Sequence, residues 1–332
     1  MSRYAVIGSN SFTGACFIEY LLNLPATEKI LAFSRSLEKT ELFLPYLSHP
    51  AAHKVTFIQA DLNHDLGRVM GVLRDVQPEY LATFAAQSEV GPSWENPQHW
   101  YQTNVVSMHA LYFGLKDLGF LKGIIHTSSP EVYGTCEGYI KEDAPMNPST
   151  PYAASKAGGD LALLPLIKNF NLPVRLIRAT NIYGKHQQLF KIIPRAAIYI
   201  LQGKTIELHG GGLAVKSYIH SHDVSHGTYL AMTRGRAGEI YHLSPADGGI
   251  SVREVVEVIC RSLGADFNKV TKVGPERLGQ DKAYTIDSTK ARSQLGWTDD
   301  ISRETGITEV VGWVKGNLES ILEQPLNYVH KE

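Results

Sequence analysis

Short apolar runs alternate with helix-period segments through the first half of the chain. Runs at 4–7, 29–34, 55–58, 80–84, 123–127 and 174–178 read as strands. Between them, 12–23, 66–76, 98–118 and 152–170 carry the spacing of helices with a buried face. Strand–helix alternation of this kind predicts a doubly wound parallel sheet covered on both faces. Past Gly184 the rhythm breaks. A helical stretch at 192–201, a Gly210-Gly211-Gly212 turn, several short elements and a helix around 304–322 suggest a smaller lobe. The expected division is therefore 1–180 and 181–332, interleaved in space and with a soft boundary. The 152–170 helix is apolar around most of its circumference, so one side can cover the sheet and another can meet a second subunit.

Composition narrows the class. The chain has 332 residues, 43% hydrophobic and 20% charged, which is enough for a full core and excludes a disordered chain. Its 32 Lys and Arg against 33 Asp and Glu leave a net charge of −1, so nothing marks a general nucleic-acid or membrane surface. No stretch reaches the roughly 18 apolar residues that span a bilayer. Cys16, Cys136 and Cys260 lie far apart, as expected of reduced thiols in a cytoplasmic protein with no zinc site and no disulfide framework.

The first strand runs into Gly8-Ser9-Asn10-Ser11-Phe12-Thr13-Gly14, and a helix follows. Such a turn points backbone N–H groups and a helix N-terminus at a pyrophosphate, as in Rossmann-type dinucleotide sites. Ser11 stands where a middle glycine is common. Asp61, after the third strand, is placed to hold an adenine ring. At the end of the second strand an acidic residue would bind a ribose 2′-hydroxyl, but this chain has Ser34-Arg35-Ser36. A guanidinium between two hydroxyls suits a 2′-phosphate, which favours NADP over NAD.

Tyr152-Ala153-Ala154-Ser155-Lys156 sets a phenol and an ammonium at i and i+4 on one helix face. A phenol titrating near pH 10 is a poor base at neutrality. A neighbouring cation and an oxidised nicotinamide would both stabilise its anion. Ser128 and Ser129, at the preceding strand end, are candidates to hydrogen-bond the same reacting hydroxyl.

With these features the chain resembles the extended short-chain dehydrogenase/reductase family, and within it the nucleotide-sugar 4,6-dehydratases. The matching segments are Phe84-Ala85-Ala86-Gln87-Ser88, His126-Thr127-Ser128-Ser129-Pro130-Glu131-Val132-Tyr133-Gly134 and Arg178-Ala179-Thr180-Asn181-Ile182-Tyr183-Gly184. Val215-Lys216-Ser217-Tyr218-Ile219-His220 and Arg277-Leu278-Gly279-Gln280-Asp281 ahead of Leu295-Gly296-Trp297 also match. The resemblance implies catalysis by Ser129, Tyr152 and Lys156, with Glu131 as the base that removes the sugar C5 proton. It implies dinucleotide contacts from Gly8, Asn10, Ser11, Phe12, Gly14, Asp61, Leu62, Ala85, Ala86, Gln87 and Asn104 as well as Tyr152 and Lys156. Substrate contacts are implied at Ser88, Asn181, Lys191, Lys216 and Arg277, and a homodimer formed by pairing the 98–118 and 152–170 helices.

Two departures from the family pattern stand out. Pro130 occupies the position of the usual acid before Glu131, so Glu131 or a water must deliver the proton to the leaving C6 hydroxyl. Glu89 replaces a common His after Gln87-Ser88. Glu131 also fits a nucleotide-sugar decarboxylase, and an epimerase shares the transient 4-ketone. A non-catalytic NADP-binding scaffold or sensor is the remaining alternative. The substrate's base and sugar are not fixed by these residues.

Overall fold

The computed structural model describes residues 1–135, 138–275 and 285–331. Seven strands, all parallel, form the central sheet: β1 (Ser2–Ile7), β2 (Thr27–Ser34), β3 (Val55–Gln59), β4 (Tyr80–Thr83), β5 (Gly123–Thr127), β6 (Val174–Ala179) and β7 (Ile240–Leu243). Their spatial order is β7-β6-β5-β4-β1-β2-β3. The chain builds outward from β1 to β3, then crosses back to β4 and continues the other way. That reversal opens a crevice at the carboxyl ends of β1 and β4, where α/β sheets bind ligands.

The near-continuous apolar runs follow from burial on both faces. Val6, Ala32, Ala82, Ile125 and Ile177 face one layer, with Phe17, Ile18 and Leu21 of α1 (Phe12–Leu22). Ala5, Ile7, Leu31, Phe33, Leu81, Ile124 and Leu176 face the other. There they meet α2 (Leu66–Val76), α3 (Met108–Leu115) and α4 (Pro151–Phe170). A third apolar cluster joins α5 (Ile192–Leu201), α7 (Val252–Leu263) and α8 (Arg303–Gly316). Between α5 and α7, α6 (Ser221–Arg234) packs back on the sheet, contributing Val224, Leu230 and Met232 to the first cluster.

Three elements depart from the sequence pattern. β7 lies beyond residue 180 yet pairs with β6 through Tyr241↔Ile177. The 304–322 helix divides at Asn317 into Arg303–Gly316 and Leu318–Leu322. The 98–118 helix is interrupted. Pro97–Tyr101 leads into a π-helical turn, Gln102–Ser107, before α3 resumes. Such bulges add one residue to a turn and re-aim the side chains around it. Among the described residues, no helix is long and apolar enough to cross a membrane.

Candidate active site

The glycine turn has room for no side chain at its tightest point. Gly8 has φ +95°, and a Cβ there would sit 2.4 Å from the backbone N of Ala85. A Cβ on Gly14 would sit 2.4 Å from the Gly8 carbonyl oxygen. Ser11, in the middle position, caps α1: its Oγ accepts from the Gly14 N–H at 3.1 Å and donates to the Gly8 carbonyl at 2.6 Å. The substitution of serine for glycine therefore keeps the turn closed by a side-chain hydrogen bond. Phe12 opens α1 but is buried away from the cleft, toward Gly184.

A cleft above this turn is lined by Gly8, Asn10 and Ser11, by Ser34, Arg35 and Ser36, and by Asp61 and Leu62. Its other wall is Ala85, Ala86, Gln87, Ser88 and Glu89. Asn10 Nδ2 donates to the Leu37 carbonyl at 2.8 Å, and Lys39 Nζ donates to the Asn10 carbonyl at 2.9 Å, which ties the loop after β2 to the glycine turn. Asp61 Oδ1 accepts from the Asn63 N–H at 2.9 Å. Asn104 sits on the π-helical turn rather than in the cleft wall. Its Oδ1 accepts from the Gln87 N–H, and its Nδ2 donates to the Gln87 carbonyl and to Ser155 Oγ, each at 2.9 Å. The turn approaches α4 so closely that a Cβ on Gly159 would lie 2.5 Å from the Asn104 carbonyl oxygen. Backbone positioning of Gln87 is thus the work of Asn104.

The start of α4 carries Tyr152 and Lys156 against the carboxyl end of β5. Lys156 is buried, and its Nζ donates to the Thr127 carbonyl at 2.7 Å. Burial lowers its pKa to about 8 against the opposing pull of Asp160. Burial, and then the nearby Glu131 carboxylate, hold the Tyr152 phenol well above its ordinary value, while a hydrogen bond with Ser129 works the other way. The Glu131 backbone N–H donates to Ser129 Oγ at 3.2 Å, so the motif's own backbone orients that hydroxyl. Ser129, Glu131 and Tyr152 therefore meet at one place, with Lys156 one turn further along α4 and fixed on the Thr127 carbonyl.

Ser128 does not join them. Its hydroxyl donates to Asp160 Oδ2 at 2.6 Å, as part of a buried network below the site. Arg178 Nη2 lies 2.7 Å from the same oxygen, and His126 Nε2 lies 3.3 Å from Oδ1. Arg178 also donates to Tyr133 Oη, which bonds His242 Nε2 at 2.8 Å. Burial pushes the Asp160 carboxyl up, but the His126, Arg178 and Ser128 contacts outweigh it and hold the pKa at about 2. Asp160 and Arg178 hold this network together without being among the residues the sequence motifs single out for the site. Two signals pointed to them: Asp160 falls at i+4 from Lys156, and Arg178 interrupts an apolar strand where an unpaired charge would be costly.

From the second lobe, Asn181 opens a short strand and its Nδ2 is buried without a hydrogen-bond partner. Lys191 immediately precedes α5, and its Nζ is paired with Glu89 at 2.9 Å. Lys216 lies on a two-residue strand paired with Ile250–Ser251. Arg277 lies outside the described residues.

The family described as GDP-mannose 4,6 dehydratase matches residues 6–310. The dTDP-glucose 4,6-dehydratase of Streptomyces antibioticus is 30% identical over 319 residues, covering 94% of this chain and 92% of the relative. A solved dTDP-glucose 4,6-dehydratase from Streptomyces venezuelae, with NAD bound, superposes with a TM-score of 0.86 at 31% identity, covering 96% and 98% of the two chains. One from Bacillus anthracis in complex with NAD gives 0.85 at 27% identity, with the same coverage.

Proposed function

The chain belongs to the GDP-mannose 4,6-dehydratase family of nucleotide-sugar 4,6-dehydratases, and on that premise we propose that Tyr152, Lys156, Ser129 and Glu131 divide its chemistry among themselves. The cofactor is a nicotinamide dinucleotide. The cleft lined by Gly8, Asn10, Ser11, Ala85 and Ala86 fits it, because a glycine turn running into a helix N-terminus presents backbone N–H groups to a pyrophosphate. When bound, the dinucleotide accepts hydride from sugar C4 and later returns it to C6.

Tyr152 takes the C4 hydroxyl proton, and Ser129 holds that hydroxyl in line. Lys156, fixed on the Thr127 carbonyl, places a positive charge near the forming phenolate. The resulting ketone acidifies the C5 hydrogen. Glu131 removes that proton and passes it to the C6 hydroxyl, which leaves as water, so Pro130 has no acid to supply. With hydride delivered to C6, C5 would take a proton from solvent through Glu131, balanced by release of the O4 proton from Tyr152, and the product would be the 4-keto-6-deoxyhexose. The observation that carries this reading is Glu131, beside Tyr152 at the same site, since plain oxidation or reduction needs no carboxylate there. The orphaned Asn181 amide and the Lys191 ammonium are suited to the nucleotide diphosphate. Binding would move Lys191 off Glu89. The test is the product formed from a panel of nucleotide hexoses. Loss of one water supports the reading; loss of carbon dioxide, or a change of configuration with no change of mass, contradicts it.

On the cofactor's finer identity, the sequence favours NADP, whereas the two solved dehydratases hold NAD. Arg35, the basis of that preference, donates from Nη2 to the Lys331 carbonyl at 3.0 Å, so part of its donor set is already engaged. These observations support NAD as the resident cofactor.

We also propose a homodimer. Phe113 on α3 and Leu161 and Leu164 on α4 are exposed, although the two helices pack together on the sheet. A second copy related by a two-fold axis would bury this stripe as a four-helix interface. Light scattering at micromolar concentration should give twice the chain mass, and Leu161→Glu should give a monomer. A monomeric wild-type protein contradicts the assembly.

A further inference from the structure

After α8 and the short helix Leu318–Leu322, the chain runs back across the dinucleotide cleft with no regular structure at 328–331. Its anchors lie on both sides of the opening. On the second-lobe side, the Tyr328 ring meets Phe190 edge-on at 5.6 Å. On the sheet side, His330 stacks on His99 at 5.3 Å and on Trp100 at 5.2 Å, with interplanar angles of 6° and 10°. His330 Nε2 lies 3.0 Å from His99 Nδ1. One residue further on, the Lys331 carbonyl accepts from Gln87 Nε2 at 2.8 Å and from Arg35 Nη2 at 3.0 Å. Gln87 and Arg35 belong to opposite walls of the cleft, and Tyr328, Val329 and Lys331 line it with them.

We propose that residues 328–331 form a strap that closes the adenosine end of the dinucleotide cleft and retains the cofactor between turnovers. This rests on the dinucleotide reading given above. The strap bridges β2, β4 and the loop before α5, so a bound dinucleotide leaves only when the His330 stack and the Lys331 carbonyl contacts are broken together. Retention suits a reaction that returns its hydride to the same sugar, since the dinucleotide ends each cycle in its starting redox state. An enzyme releasing a reduced cofactor every cycle would be slowed by such a strap.

The experiment compares the full chain with a chain ending after Asn327 and with His330→Ala. Each is loaded with NAD and then mixed with excess fluorescent etheno-NAD, and the exchange rate is followed. Melting temperature at saturating NAD checks folding. The shortened chain should exchange at least about tenfold faster and His330→Ala by a smaller factor, since loss of contacts acts mainly on dissociation. Equal exchange rates in correctly folded variants overturn the strap. Slower exchange in the shortened chain also overturns it, because the segment would then obstruct the cleft. If the full chain binds neither NAD nor NADP at any concentration, the dinucleotide reading itself fails, which is a distinct result. The dinucleotide released from the full chain on denaturation identifies the resident cofactor.

Discussion

Tyr152→Phe is expected to slow C4 oxidation by about 10²–10⁴-fold, the usual contribution of a positioned acid–base group. The phenol sits at the buried start of α4, where burial and Glu131 raise its pKa and Ser129 lowers it. On the proposed division of roles, the Lys156 ammonium, held on the Thr127 carbonyl one helical turn from Tyr152, supplies the compensating positive charge. Phenylalanine keeps the ring and its packing but removes the hydroxyl that contacts Ser129. Single-turnover dinucleotide reduction at saturating nucleotide sugar measures the step directly. The substrate dissociation constant should hold, and a rate within about tenfold of wild type assigns the proton to another group.

Glu131→Gln is expected to separate oxidation from elimination. The amide cannot take the C5 proton, and with Pro130 beside it the motif holds no second carboxylic acid. Dehydration should fall by at least about 10²–10⁴-fold. The first oxidation, assigned to Tyr152 in the proposed mechanism, should persist, and removing the negative charge beside the phenol should ease it. The variant should therefore show a rise in reduced-dinucleotide absorbance that stays, with 4-keto sugar retaining its C6 oxygen. Near-normal formation of the 6-deoxy product removes Glu131 from the base role.

What was legible in the chain depended on how locally each feature is encoded. β1 to β6 carry their own apolar runs, and Gly8 and Gly14 are demanded by contacts within one turn and the next strand. β7 is four residues long and reaches the sheet only because α6 returns to pack on it, so no local pattern places it beside β6. The π-helical turn at Gln102–Ser107 preserves a helical hydrophobic spacing while shifting it by a residue, which explains why the 98–118 segment read as one helix. Asn104 thereby bonds the backbone of Gln87, from behind the cleft wall that Gln87 lines. Ser128 and Ser129 look equivalent in sequence. Alternation along the strand end separates them, sending Ser128 down to Asp160 and leaving Ser129 beside the Tyr152 phenol. The strap over Gln87 joins residues 244 apart in the chain, and such a pairing is set by tertiary packing alone.

The hydride path tests the central claim most directly. The wild-type enzyme is given its nucleotide hexose carrying deuterium at C4, and the product is analysed by mass spectrometry with fragment assignment. Dehydration by this site predicts loss of one water, with the deuterium recovered on C6 of the 4-keto-6-deoxy sugar. Deuterium returned to C4, or a product that has lost carbon dioxide in place of water, would contradict it.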